Sequence, residues 1–305
     1  MWNRRTQTKN RRPFARSTAA SAFRSADLQD ALGRLTNNNT QKEYYITDTV
    51  AILRGDGKKV ETLVVEDTTE IMGVNDRVQL LEAQEIAKER IFRRLMLSGV
   101  TIYEKASTFI APDAVIGPDT EILPSTIIKG GCVIGEDCVI GPGSELSNMT
   151  IGDRTTVKHT VAMDSTIGSD TTVGPFAYVR PKCVVGDHVK VGDFVELKNS
   201  NIGEGTKISH LTYVGDSDFG KNINIGCGTV TVNYDGHKKF RTVVEDNCFI
   251  GCNTNLVAPV TVHAGSFIAA GSTITDEVPD GSLAIARARQ VNKEGWNTKR
   301  EENYQ

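Results

Sequence analysis

From Ile110 onward an aliphatic residue returns at every sixth position, and no other property of the chain restricts its fold so tightly. The series runs Ile110, Ile116, Ile122, Ile128, Ile134, Ile140 and Leu146. It slips by one residue, resumes at Ile151 and Val157, and continues through Ile167, Val173, Val179, Val185, Val191 and Leu197. After another slip come Ile202, Ile208 and Val214, and a last regular run holds Ile250, Leu256, Val262, Ile268 and Ile274. A period of six is neither the 3.6 of a helix nor the 2 of an alternating strand. Each hexad therefore reads as a short strand and a turn with its aliphatic residue pointing inward, and three hexads close one triangular coil. A fixed repeat of this kind is the signature of a solenoid. The predicted fold is mainly β, a left-handed parallel β-helix of about ten coils stacked at the strand spacing of roughly 4.8 Å. Glycines that directly follow the aliphatic residue, such as Gly117, Gly135 and Gly141, are expected to supply turn dihedrals that a Cβ resists.

The repeat fails between Ile225 and Ile250, where the polar, basic and turn-forming segment Asn233-Tyr234-Asp235-Gly236-His237-Lys238-Lys239 is inserted. An insertion on a solenoid becomes a loop projecting from the wall, and such loops often carry function. Ahead of the repeat, SADLQDALGRL and EYYITDTVAIL read as short helices and KVETLVVED as a strand. From Asn75, a plausible N-cap, Val78, Leu81, Ile86, Phe92 and Leu95 follow at near-helical spacing. This divides the chain into residues 24–74, a small α/β piece, 75–98, a linker helix, and 99–305, the β-helix with a C-terminal tail.

A formal net charge of -3 gives no electrostatic reason to expect nucleic acid or an anionic membrane as partner. No apolar run approaches the roughly 18 residues of a membrane span. The six cysteines form no C-x-x-C pair, and the histidines form no cluster at metal spacing, so reduced thiols in a cytoplasmic protein are expected. Residues 1–26 carry seven Arg or Lys and no acid.

The segments FAYVRP, FVELKNS, SHLTYVGD, NIGCGTVTVNYDGHKKF, NTNLVAPV, FIAAGSTIT and LAIARARQV closely resemble one family. It is the bifunctional N-acetylglucosamine-1-phosphate uridylyltransferase / glucosamine-1-phosphate acetyltransferase, and the resemblance covers residues 24–296. It implies N-acetylation of glucosamine 1-phosphate with acetyl-CoA as co-substrate, on the way to UDP-N-acetylglucosamine for cell-wall and lipopolysaccharide precursors. It also implies a homotrimer with its sites between subunits. A prism with flat walls needs a second wall to enclose both substrates.

Amine acetylation needs a base, because an ammonium has no lone pair, and histidine is matched to that task near neutral pH. His210, in SHLTYVGD, falls at the family's catalytic position; Glu196 falls where the resemblance implies a group that orients or polarises it. His159, His188 and His263 lie in repeat turns and read as solvated surface. The resemblance places sugar-phosphate contacts at Arg180, Lys198, Tyr213, Asn224 and Lys239. It places acetyl-CoA contacts at Cys227, Asn233, Tyr234, Cys252, Ala270 and Arg287. Small residues at 227, 252 and 270 would let a pantetheine arm lie against the wall.

The family's first activity needs a Gly-rich loop of the form L-x-x-G-x-G-T-x-M, whose backbone N–H groups cradle a triphosphate, and an Asp that holds Mg²⁺. Neither occurs in the sequence, so uridylyl transfer is expected to be lost. Asn75 matches a family Mg²⁺ ligand but reads here as a helix cap with a vestigial, unoccupied metal position. Two other functions remain open. A metal-dependent hydratase would need three convergent histidines, which the spacings do not suggest. A non-catalytic or unstable fragment of the bifunctional enzyme is the alternative.

Residues 1–23 read as a disordered or out-of-frame segment. Codon degeneracy lets the codons for Met1–Phe23, read from the third base, spell VEQTDANEEQ, one open position and AVREINSGICF. That is the family's segment before the position of Arg24. Sequencing the gene upstream of Arg24 is expected to show this peptide in the third-base frame; any other peptide refutes the reading.

Overall fold

The computed structural model describes residues 21–61, 65–297 and 300. Most of the reading of residues 1–23 therefore falls outside the described residues. The chain divides into two compact units, Met1–Ala87 and Lys88–Gln305.

In the first unit, helix α1 (Ser25–Gly33) and helix α2 (Asp48–Gly55) bury Ala31, Thr49 and Leu53. Arg34 and Asp56 form an ion pair at 2.8 Å and Lys58 and Asp27 another at 2.9 Å. α2 starts later than expected, after a turn that the Asn39 side chain holds. Its Oδ1 accepts from the Gln41 and Glu43 N–H groups, and its Nδ2 donates to the Glu43 carbonyl. The expected strand in KVETLVVED is not seen in its described residues; 62–64 lie outside them.

Helix α3 spans Arg77–Leu97. Its cap is Asp76, whose Oδ1 accepts from the Gln79 N–H at 2.8 Å. Asn75 is therefore not the cap: its backbone N–H donates to Gln79 Oε1 at 2.7 Å, one position outside. Of the apolar residues expected to share a face, Phe92 and Leu95 are buried, while Val78 and Leu81 are more than half exposed.

The second unit is the parallel β-helix of hexapeptide repeats expected from the sequence, of the left-handed class. One face is an 11-stranded parallel sheet, and the two other faces are joined through the seven-residue strands Glu145–Ile151 and Val161–Ile167. Every aliphatic residue of the hexad series from Ile110 to Ile274 is buried, none more than 7% exposed. Each stacks on its equivalents one coil away, contributing about 1.5–3 kcal/mol.

Register explains the slips. Phe109 pairs with Ile127, Glu145 with Val161, Glu196 with Tyr213 and Asn224 with Phe249, so coil length passes from 18 residues to 16, 17 and then 25. The 16-residue coil from Glu145 to Val161 turns a corner inside the seven-residue strand Glu145–Ile151, and the longest carries the inserted loop. At Gly117 and Gly135 the glycine does not serve as expected. Neither has a positive φ; each lies so close to the next coil that a Cβ would strike its backbone. Positive φ falls two residues on, at Asp119 and Asp137, a residue type that tolerates it.

His263 is not a solvated surface group. Its Nε2 lies 2.5 Å from Glu277 Oε1 and its Nδ1 3.2 Å from Glu245 Oε1, stapling neighbouring coils. The hydrogen bonds to Glu277 and Glu245 raise its pKa above 6.5. The staple thus contributes fully below the unfolded value of about 6.5 and is lost as pH rises through the higher folded value. Thermal melts should show wild type exceeding His263→Gln by most below pH 6.5, with the gap closing on the alkaline side. A gap independent of pH would contradict this.

Candidate active site

Strands Tyr178–Val179, Glu196–Lys198 and Tyr213–Gly215 lie on one face, with Tyr178, Glu196 and Tyr213 in register. Val179, Leu197 and Val214 point into the core, so their neighbours face outward. At one edge of this face an open depression of about 330 Å³ is lined by Arg180, Pro181, Lys182, Lys198, Asn199, Asp216 and Lys239.

The inserted loop brings Lys239 there. Asp235 Oδ1 accepts from the His237 and Lys238 N–H groups, and the Phe240 N–H donates to the Asn233 carbonyl at 2.9 Å. Beyond it Arg241 donates to both carboxylate oxygens of Asp218 and to the carbonyls of Ser217 and Asn199. The loop is fixed at its root.

The depression gathers more positive than negative charge. Lys198 pairs with Asp216 at 3.3 Å, and both side chains are largely buried. The neighbouring Lys198 ammonium, a like charge, holds the Lys239 ammonium below the ordinary lysine value. Lys198, set beside Lys239 and paired with Asp216, is held above it against desolvation. Burial would raise the Asp216 carboxyl, but hydrogen bonds from Asn199, Lys198 and Asn233 leave it below the usual range. Asp216 Oδ2 accepts from Asn233 Nδ2 at 2.6 Å, so one carboxylate orders groups from the coil below and the coil above. An anion placed between these cations would relieve their repulsion.

His210 ends strand Lys207–His210, and the three residues of Tyr213–Gly215, about 10 Å of strand, separate it from the depression. Within one chain it is not among the residues lining the cation cluster. Instead it stands in a column. Asp193 is its register partner below, and in the same phase Cys227 follows one coil above. The Asn253 N–H donates to the Cys227 carbonyl and the Gly271 N–H to that of Cys252, which continues the column through Cys252 and Ala270. Arg287 reaches over Gly271 beyond them. The expected small residues thus line up, one per coil, above the histidine.

Other expected residues are placed differently. Glu196 does not meet His210: its Oε1 accepts from Arg180 Nη1 at 2.8 Å. The carboxylate on His210 is Asp193, with Oδ1 2.6 Å from Nδ1. Asn224 lies on another face, paired with Lys207 and Phe249. Tyr213 stays on the cation face, 3.4 Å from Asn233 Nδ2, across Gly215, where a methyl group would strike both. Asn233 is buried against Asp216, whereas Tyr234 is exposed with its hydroxyl on the Gly236 carbonyl. Cys227 is half-buried and Cys252 exposed; all six cysteines are free thiols. Among the described residues, three His, Cys, Asp or Glu donors converge only at Glu245, His263 and Asp280. No helix among them is long and apolar enough to cross a membrane. Lys182, Asn199 and Asp216 are lining residues that the hexad pattern did not single out.

Residues 104–195 match the family described as GMPPB C-terminal domain, and residues 241–276 match bacterial transferase hexapeptide (six repeats). The chain is 59% identical over 91% of its length to bifunctional protein GlmU of Acetivibrio thermocellus, spanning 60% of that protein. It is 50% identical over 93% of its length to bifunctional protein GlmU of Caldicellulosiruptor saccharolyticus, spanning 61% of it. The chain thus spans about 60% of the length of the curated relatives it matches. The crystal structure of Francisella novicida UDP-N-acetylglucosamine acyltransferase is 17% identical with a TM-score of 0.37, covering 61% of this chain and 67% of that one.

Asp216→Ala should lower stability by about 1.5–3 kcal/mol, since it strips hydrogen bonds to a charged group from Lys198, Asn199 and Asn233. Denaturant unfolding measures this, and an unchanged midpoint would show that these donors find other partners.

Proposed function

We propose that this homologue of bifunctional GlmU proteins acetylates the amine of glucosamine 1-phosphate with acetyl-CoA, forming N-acetylglucosamine 1-phosphate. The observation that carries the reading is the column of Cys227, Cys252 and Ala270 rising from His210 to Arg287. Its four coil steps span about 19 Å, a wall without bulky side chains along which a pantetheine arm lies. Arg287 meets the nucleotide phosphates at one end, and the thioester reaches His210 at the other.

The chemistry follows from that placement. The sugar amine enters uncharged and attacks the thioester carbonyl, and His210 takes the proton the nitrogen sheds. The tetrahedral centre collapses, the C–S bond breaks and CoA leaves as a thiol or thiolate. Arg180, Lys198 and Lys239 hold the phosphate dianion across the face.

Because His210 and these cations lie on opposite sides of strand Tyr213–Gly215, one chain leaves the site open. The edge beside His210 supports closure by a second copy of the chain. Phe176, Phe194 and Leu211 are each more than half exposed, and all three have positive φ, a costly conformation for bulky residues. Their ladder, with Phe176 stacked on Phe194 and on His159, supports packing against second copies of the chain as a homotrimer. The chain's own residues lack a triphosphate loop, so uridylyl transfer is not proposed for them.

The test is a thiol-release assay with glucosamine 1-phosphate on protein sized by sedimentation. Activity should travel with the trimer, His210→Ala should lower turnover by about 10²–10⁴-fold, and Lys239→Ala should chiefly raise KM for the sugar phosphate. No thiol release, near-normal turnover in His210→Ala, or full activity in a monomer would each overturn the corresponding part.

A further inference from the structure

Strand Lys190–Asp193 runs in register beneath Lys207–His210, which sets Asp193 directly against the histidine one coil away. Asp193 Oδ1 is 2.6 Å from His210 Nδ1. The hydrogen bond from His210 holds the Asp193 carboxyl below its ordinary range, so near neutral pH it is ionised and can only accept. The proton between them therefore belongs to Nδ1, and Nε2 carries the lone pair. In water a free imidazole samples both tautomers, and only the form with Nε2 unprotonated leaves a base for the substrate.

We infer that Asp193 is a positioning residue for His210, fixing its tautomer and ring orientation and stabilising the imidazolium formed when the substrate proton arrives. The inference rests on reading His210 as the base. Glu196 does not take this part, because its carboxylate is bonded to Arg180. The pair is also built in at the level of the backbone: parallel pairing of two strands sets the carboxylate, independent of any loop. Phe194 and Leu211, the residues that follow the two partners, continue side by side around the corner, since the Leu211 N–H donates to the Asp193 carbonyl at 2.9 Å. Both residues are partly exposed, His210 more than Asp193, so the hydrogen bond acts chiefly through orientation rather than through charge in a dry interior.

The experiment compares the unaltered chain with Asp193→Ala and Asp193→Asn. ¹⁵N NMR of the imidazole rings reads the tautomer, and steady-state acetyl transfer reads kcat and both KM values. The unaltered chain should show His210 protonated at Nδ1 when neutral, and Asp193→Ala should show a mixture of tautomers. In Asp193→Ala kcat should fall about 10–100-fold, by analogy with groups that orient metal-bound histidines, with both KM values within about twofold. Asp193→Asn, whose amide can donate to Nδ1 where the carboxylate can only accept, should not recover the rate and should shift the ring signal toward the Nε2-protonated form. Wild-type activity that Asp193→Ala leaves unchanged, or a tautomer indifferent to the substitution, would overturn the inference alone. Absence of acetyl transfer in the unaltered chain would fell the acetyltransferase reading, and the role of Asp193 with it, even if NMR showed the pair intact.

Discussion

The parallel pairing of each short strand with the one a coil away is the constraint from which the rest of this molecule follows. It holds the aliphatic residues in continuous buried stacks and satisfies the backbone from one coil to the next. It also decides which outward side chains become neighbours. Asp193 under His210, Cys227 above it and Tyr213 over Glu196 are all pairs made by register. Residues remote in sequence meet because their strands share a row.

The fold was legible because inward positions repeat with a period that no helix or alternating strand has. The residues read as inward, Ile110 through Ile274, are buried. The inserted loop was legible for the complementary reason, as the place where that period fails. The neighbours of the candidate catalytic histidine were not legible. A partner across coils lies as many residues away as the local coil is long, and that length varies from 16 to 25. Glu196 was read as the partner of His210 from a resemblance; counting back 17 residues, the length of the coil in question, arrives at Asp193. His263 was misread in the same way, since Glu245 and Glu277 stand on other coils.

The polar face shows a second kind of order, which hexad counting does not reach. Asp216 sits at a corner with positive φ, and it joins Lys198, Asn199 and Asn233 from coils below and above. Such a corner carboxylate is neither an inward nor a strand residue. The cations around it are held rather than merely present. Arg180 is tied to Glu196, Lys198 to Asp216, and Lys239 rides on a loop whose root Arg241 anchors. This preorganisation means that an anion placed there would meet charges already in place, which would lessen the ordering cost of binding.

The column above His210 has a geometric property that a pocket lined by loops lacks. Its length comes only in whole coil steps, because the strands above and below admit no intermediate spacing. The separation between His210 and Arg287 is thus quantised, and gaining or losing one coil would change the span by a single increment while leaving the histidine and its partner untouched. A scaffold of this kind acts as a graduated scale, on which the reach of the column and the pairing at its base are set by separate parts of the sequence.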